Sequence, residues 1–223
     1  LEPYRQSVFL ACKTTERAGD KARAEFERSL ERLRTDRFDL YQLHSLASVE
    51  KDVDAAFSRS GAMEFLIEAK REGRARHLGF SAHTIEAAVA ALDRYDFDSV
   101  LFPVNFAAWH EGQFGPRILE KALEKGASRL ALKAMARGLW PENDPERATY
   151  SKCWYQPIAD PCEAELAFRF TLSRPVTAAL PPGEEPLFRM AMDFAARFRP
   201  LSPAEEEELK KLALGTNAVF RAA

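Results

Sequence analysis

Short apolar runs alternate along this chain with longer stretches in which apolar positions recur every three or four residues. The runs are VFLACK (8–13), FDLYQLH (38–44), ARHLGFS (75–81), DSVLFPVNF (98–106), SRLALKAM (128–135) and PVTAAL (175–180). Each is almost continuously apolar, the pattern of a strand buried on both faces. The intervening stretches read as helices. Phe26, Leu30 and Leu33 stand at i, i+4 and i+7, and Ile85, Val89 and Leu92 repeat that spacing, so each helix has one stripe that can cover a sheet. Gly126 reads as the residue just past a helix end, and Ser202-Pro203-Ala204-Glu205 as a capping box that opens a charged terminal helix. Strand followed by helix, six times over, predicts an α/β fold of parallel strands with crossover helices.

From residue 8 to residue 175 the runs recur about every 33 residues, the size of a βαβ step. Eight such steps fill a barrel of about 250 residues, and six are present here. No internal repeat, low-complexity tract or Gly/Ser-rich linker interrupts the chain, so residues 1–223 read as one domain. The stretch 136–163, rich in proline, charge and aromatics without a period, reads as a long irregular loop of the length that carries function.

Composition narrows the classes. With 46% hydrophobic and 30% charged residues, the chain is neither disordered nor built to sit in a bilayer. Lys+Arg at 32 nearly balance Asp+Glu at 34, and the net charge of −2 gives no reason to expect a nucleic-acid partner. No apolar run approaches the ~18 residues of a membrane span, and the first residues lack a signal core, so no membrane partner and a cytoplasmic location are expected. Cys12, Cys153 and Cys162 form neither a CxxC pair nor a disulfide framework, and no metal is expected.

In a parallel α/β barrel the reactive groups come from the carboxyl ends of strands. That rule selects Lys13, His44, Ser81, Asn105 and Lys133 to Met135. A half-buried lysine at such a position polarises a neighbouring acid or forms a Schiff base; otherwise it is a solvated loop residue. His44 reads equally as a structural group or a catalytic one.

Four segments follow in a set order: ACKT, SLERLRTDRFDLYQLH, LIEAKREGRARHLGFS and GASRLALKAMARG. They resemble successive blocks of the aldo/keto reductase family, and the similarity runs from residue 8 to residue 214. The resemblance implies a (β/α)8 TIM barrel that binds a nicotinamide cofactor across its strand ends without a Rossmann domain, and no GxGxxG occurs here. It implies reduction of an aldehyde or ketone, a small-molecule carbonyl substrate, to an alcohol. By resemblance Lys13 is the lysine that lowers the pKa of a catalytic tyrosine, and His44 the histidine that orients the carbonyl or assists proton transfer.

Ser81 resembles the serine that grips the nicotinamide carboxamide, with Ala82 where asparagine is usual. Asn105 resembles the polar residue at the end of the sixth barrel strand, with Leu101 where glutamine is usual. Lys133 falls where some branches also carry lysine, and Gly183 and Arg189 fall where the adenosine phosphates approach. NADP(H) is favoured over NAD(H). In the family the tyrosine, and the aspartate that pairs with the lysine, follow the second strand. This sequence begins seven residues before the third, so the first two βα units and the proton donor are expected to be absent and catalysis impaired. Two alternatives stay open: a non-catalytic fragment or scaffold that retains part of the cofactor site, and a Schiff-base aldolase using Lys133 or Lys13.

Overall fold

The computed structural model describes residues 2–222. In chain order the elements are β1 (Ala11–Thr14), α1 (Gly19–Leu33), β2 (Phe38–Leu46), α2 (Ala62–Arg71), β3 (Ala75–Ala82), α3 (Ile85–Arg94), β4 (Ser99–Pro103), α4 (Phe106–His110), α5 (Pro116–Glu124) and β5 (Ser128–Leu132). They continue with β6 (Ala136–Gly138), β7 (Gln156–Pro157), α6 (Pro161–Leu172), β8 (Ala178–Leu180), α7 (Glu185–Ala196) and α8 (Pro203–Ala213). The expected α/β alternation is present: six strands form one parallel sheet in the order β1-β2-β3-β4-β5-β8, and the barrel is not closed. The chain gathers into two compact units, Leu1–Leu101 with Glu120–Ser128, and Phe102–Leu119 with Arg129–Ala223.

In the first unit, β1, β2, β3 and β4 pair in parallel with the registers Lys13 to Gln42, Gln42 to Gly79 and Gly79 to Ser99. Successive residues of a strand point to opposite faces. On one face the helices cover the sheet: Phe26 of α1 packs its ring 4.7 Å from Tyr41, 5.1 Å from Phe38 and 5.3 Å from Phe65 of α2. Of the stripes read from sequence, Phe26 and Leu30 of α1 and Ile85 and Leu92 of α3 are in the core, whereas Leu33 and Val89 are only half-buried. Phe80 of β3 meets Phe97 at 4.9 Å on the same helical side.

In the second unit β5 pairs in parallel with β8, and β6 with β7 antiparallel. The core there joins Phe106, Met135, Phe168, Phe170, Leu187 and Leu209. The capping box at the start of α8 forms as expected: Ser202 Oγ accepts from Glu205 N while the Glu205 carboxylate accepts from Ser202 N.

Strand limits differ from the apolar runs for local reasons. β4 stops at Pro103 rather than 106, because Asn105 turns the chain into α4 as its N-cap. β5 stops at Leu132 rather than 135, because Lys133 takes a left-handed backbone, φ 63°. β8 begins at Ala178, after Pro175. The stretch 136–163 is more ordered than expected, holding β6, a 3-10 turn at Pro145–Ala148, β7 and the start of α6.

Candidate functional site

The carboxyl end of β2 carries a bulge. Leu43 pairs with Phe80 and Leu46 with Ala82, so three steps on β2 oppose two on β3. The extra residue is accommodated at Ser45, whose φ of 64° lies in the left-handed region that a side chain rarely adopts without support from its surroundings. That support is visible: Ser45 N donates to Ser81 Oγ at 2.8 Å, Ser45 Oγ lies 2.9 Å from His83 Nδ1, and His83 N donates to the Leu46 carbonyl at 2.8 Å.

His44 sits immediately before this bulge and is held from the other side by Arg17. The guanidinium donates to the His44 carbonyl at 2.7 Å, to the Thr15 carbonyl at 3.1 Å and to Asp52 Oδ1 at 3.0 Å. Asp52 is itself fixed, accepting from Ala47 N and Ser48 N at 2.9 Å each. Burial pushes the Asp52 carboxyl upward, but those two N–H bonds and Arg17 outweigh it, so the group titrates below its usual range and remains a charged anchor. The backbone that presents His44 is therefore tied to the loops after both β1 and β2.

Lys13 belongs to the same face. It is in register with Gln42, and His44 is two residues beyond Gln42, so strand alternation puts the three on one side of adjacent parallel strands. Burial lowers the Lys13 pKa, with Cys12 opposing the shift. Among the described residues Lys13 forms no ion pair. Ser81, 3% exposed, follows Gly79 on the same face of β3. The first unit thus brings Lys13, His44 and Ser81 together at its strand ends. Tyr41 is excluded from that group: alternation turns it to the helical face against Phe26 and Phe38, where burial pushes its phenol pKa upward.

In the second unit the selected residues have other engagements. Asn105 is 2% exposed and its Oδ1 accepts from Ala108 N at 2.8 Å, capping α4. The Lys133 ammonium lies among rings, 4.9 Å from Trp154, 5.0 Å from Phe220 and 5.8 Å from Tyr155. Gly183 is exposed, just before α7, and Arg189 on that helix donates to Glu185 at 2.7 Å. Trp140 Nε1 donates to the Cys153 carbonyl at 2.8 Å, an anchor for the long connection.

Two residues escaped sequence reasoning. Gln42 and Ser99 are 2% and 4% exposed in the row that Lys13 begins. Their signal was a polar side chain inside the run 38–44 and another at the start of the run 98–106, and neither lies at the carboxyl end of its strand.

No helix among the described residues is long and apolar enough to cross a membrane, and no group of three or more His, Cys, Asp or Glu among them could hold a metal ion. Compared with known proteins, the model of the aldo/keto reductase family matches residues 1–156. Among solved structures the chain is similar to the holo form of aldo-keto reductase AKR11C1 from Bacillus halodurans, with 22% identity over 99% of this chain and 77% of that one and a TM-score of 0.66. It is also similar to an aldo/keto reductase from Brucella melitensis, with 16% identity over 93% of this chain and 74% of that one and a TM-score of 0.64. At these identities the structures speak to the fold. No curated protein sequence matches the chain.

Proposed function

This chain belongs to the aldo/keto reductase family, and from that premise we propose that it reduces an aldehyde or ketone to an alcohol with NADP(H), in preference to NAD(H), using Lys13 and His44 at the reacting carbonyl. The observation that carries the reading is the placement of these two side chains on one face of neighbouring parallel strands at their carboxyl ends, with the His44 carbonyl fixed by Arg17. We take residues 1–223 as a single barrel-type domain in the cytoplasm.

The bound nicotinamide supplies a hydride to the carbonyl carbon. Negative charge then grows on the carbonyl oxygen, where a fixed cation and a proton donor are worth most. Lys13 provides the cation, and its partial burial strengthens its field by keeping water away. The His44 imidazole orients the carbonyl and delivers a hydrogen bond or proton to its oxygen. By family resemblance a phenol would complete the pair, but none of Tyr4, Tyr41, Tyr95, Tyr150 and Tyr155 is proposed for it. Within these 223 residues His44 is left as the donor, and turnover is expected to be slow.

We assign each cofactor residue one role. The Ser81 hydroxyl accepts from Ser45 N, which leaves its own O–H for a carboxamide oxygen. Asn105 commits Oδ1 to α4, so its amide N–H groups are the part to offer. Lys133 offers a cation, Gly183 an open backbone before α7, and Arg189 a guanidinium for a 2′-phosphate.

Titration of the folded protein with NADPH and NADH, followed by fluorescence, tests cofactor binding. Saturable binding with NADPH the tighter ligand is expected, and no saturable binding would leave a scaffold role instead. With an aldehyde as substrate, Lys13→Met and His44→Ala should each lower kcat about 10²–10⁴-fold, the range for losing a positioned acid–base group. Unchanged turnover in both variants would remove this pair from the reaction.

A further inference from the structure

Lys13, Gln42, Gly79 and Ser99 are register partners on four successive strands, so their side chains stand side by side in one row across one face of the sheet. Two buried atoms in that row, Gln42 Nε2 and Ser99 Oγ, have no hydrogen-bond partner among the described residues. Buried polar groups are nearly always paired, and an orphan costs about 1–3 kcal/mol. Here the two orphans are neighbours: both lie within 3.3 Å of the point that a Cβ on residue 79 would occupy. Glycine at 79 is what allows them to converge.

Their chemistry is complementary. A glutamine amide has donors on Nε2 and acceptors on Oε1, a serine hydroxyl accepts, and a lysine ammonium can only donate. Read along the row, Lys13 needs an acceptor, Gln42 has one to give, and Gln42 in turn needs an acceptor that Ser99 holds. An apolar strand face would have been cheaper to bury, so a glutamine kept at 2% exposure in the middle of β2 calls for a purpose.

We propose that Gln42, anchored on Ser99 over Gly79, is a positioning residue that holds the Lys13 ammonium at the reacting end of the sheet. The row then runs Lys13 Nζ–H to Gln42 Oε1 and Gln42 Nε2–H to Ser99 Oγ, closed by small side-chain adjustments. The purpose of the positioning rests on the proposed catalytic role of Lys13, whereas the contact does not. Among the described residues Cys12 is the one ionisable group whose charge shifts Lys13; its side chain alternates to the other face, so changes at Gln42 leave it in place.

The test is NMR titration of the Lys13 13Cε resonance in the 223-residue chain, assigned by its loss in Lys13→Met. Gln42→Leu removes the acceptor and should move the Lys13 titration to lower pH. Gln42→Glu supplies a carboxylate in the same place and should move it to higher pH, and Ser99→Ala should move it in the direction of Gln42→Leu but less. Should Gln42→Leu fail to fold, the Gln42→Glu and Ser99→Ala curves decide alone. Titrations superimposable on wild type in the folded variants would overturn the proposal. Because no turnover enters the measurement, a failure here is separate from a failure of the reductase reading, which the Lys13→Met kinetics test.

Discussion

An alanine at position 79 would bring its Cβ to 2.2 Å from Ser99 Oγ and 2.8 Å from the Ser99 carbonyl oxygen. The hydroxyl can rotate away but the backbone cannot, so the strand pair must part. Overpacking of this kind costs about 1–3 kcal/mol, and Gly79→Ala should lower the urea midpoint accordingly at unchanged m-value. Gly183 is the contrast. Among the described residues a Cβ there would have only Lys152 Cβ in reach, at 3.9 Å, so Gly183→Ala should be nearly neutral for folding, and any effect on NADPH affinity reports backbone approach by the cofactor. Arg189 tests the other end of that ligand. It and Glu185 are both well exposed, and an exposed pair of this spacing is worth only about 0.3–0.5 kcal/mol, too little to hold Arg189 against a 2′-phosphate. Arg189→Ala should therefore weaken NADPH about tenfold and leave NADH unchanged, as read by fluorescence titration; equal loss for both would remove the phosphate role. Lys13 and His44 were legible in sequence because they end apolar runs, where composition changes. Gln42 and Ser99 were not, because one polar residue in a buried strand looks like noise until the register of four strands aligns it with others.

At the level of elements, the helices were the most readable part, since a stripe at i, i+4 and i+7 has few alternative explanations and two of its three positions in each of α1 and α3 are buried. Strand ends were less so: a run of apolar residues does not reveal that Asn105 will cap a helix or that Lys133 will leave the strand through a left-handed backbone. The hairpin of β6 and β7 has too few residues to produce a period at all. Packing between elements also creates a titration that no single helix would show. His110 ends α4 with its ring 5.3 Å from Phe170 of α6 and its Nε2 3.4 Å from Glu206 of α8. Burial lowers its pKa; Glu206 opposes this, while Arg174 and Lys210 add to it. The folded state thus takes up the proton less readily than the unfolded chain, whose histidines titrate near 6.5. Stability from this site is complete above about pH 6.5 and is lost as the pH falls below it, where the unfolded state binds the proton first. Urea denaturation of wild type and His110→Gln should show a stability difference that narrows between about pH 7.5 and about pH 5.5. A difference independent of pH would mean that the imidazole does not titrate in this range.

For the molecule as a whole, the question is whether two compact units imply two folding events. The division does not fall in linkers. It cuts β4 between Leu101 and Phe102, and it cuts α5 between Leu119 and Glu120, so each unit contains part of a strand and part of a helix that the other completes. A helix of nine residues is marginal even when whole, because its first turn must be nucleated at a loss before any hydrogen bond repays it. Half of it, left after one unit had unfolded, would retain about one turn and little else. The four residues Glu120, Lys121, Ala122 and Leu123 would also lose the intrahelical bonds they make backward along α5. Each unit therefore depends on elements that cannot persist without the other. We expect a single calorimetric transition in which the van't Hoff and calorimetric enthalpies agree, and a near-UV signal from Trp140 and Trp154 in the second unit that melts together with the far-UV signal of the whole chain. A saturating ligand should raise the midpoint of that one transition by mass action without splitting it. Two resolved transitions, or tryptophan signals that melt at a different temperature from the backbone signal, would show that the units fold independently and would replace the single-domain reading with two.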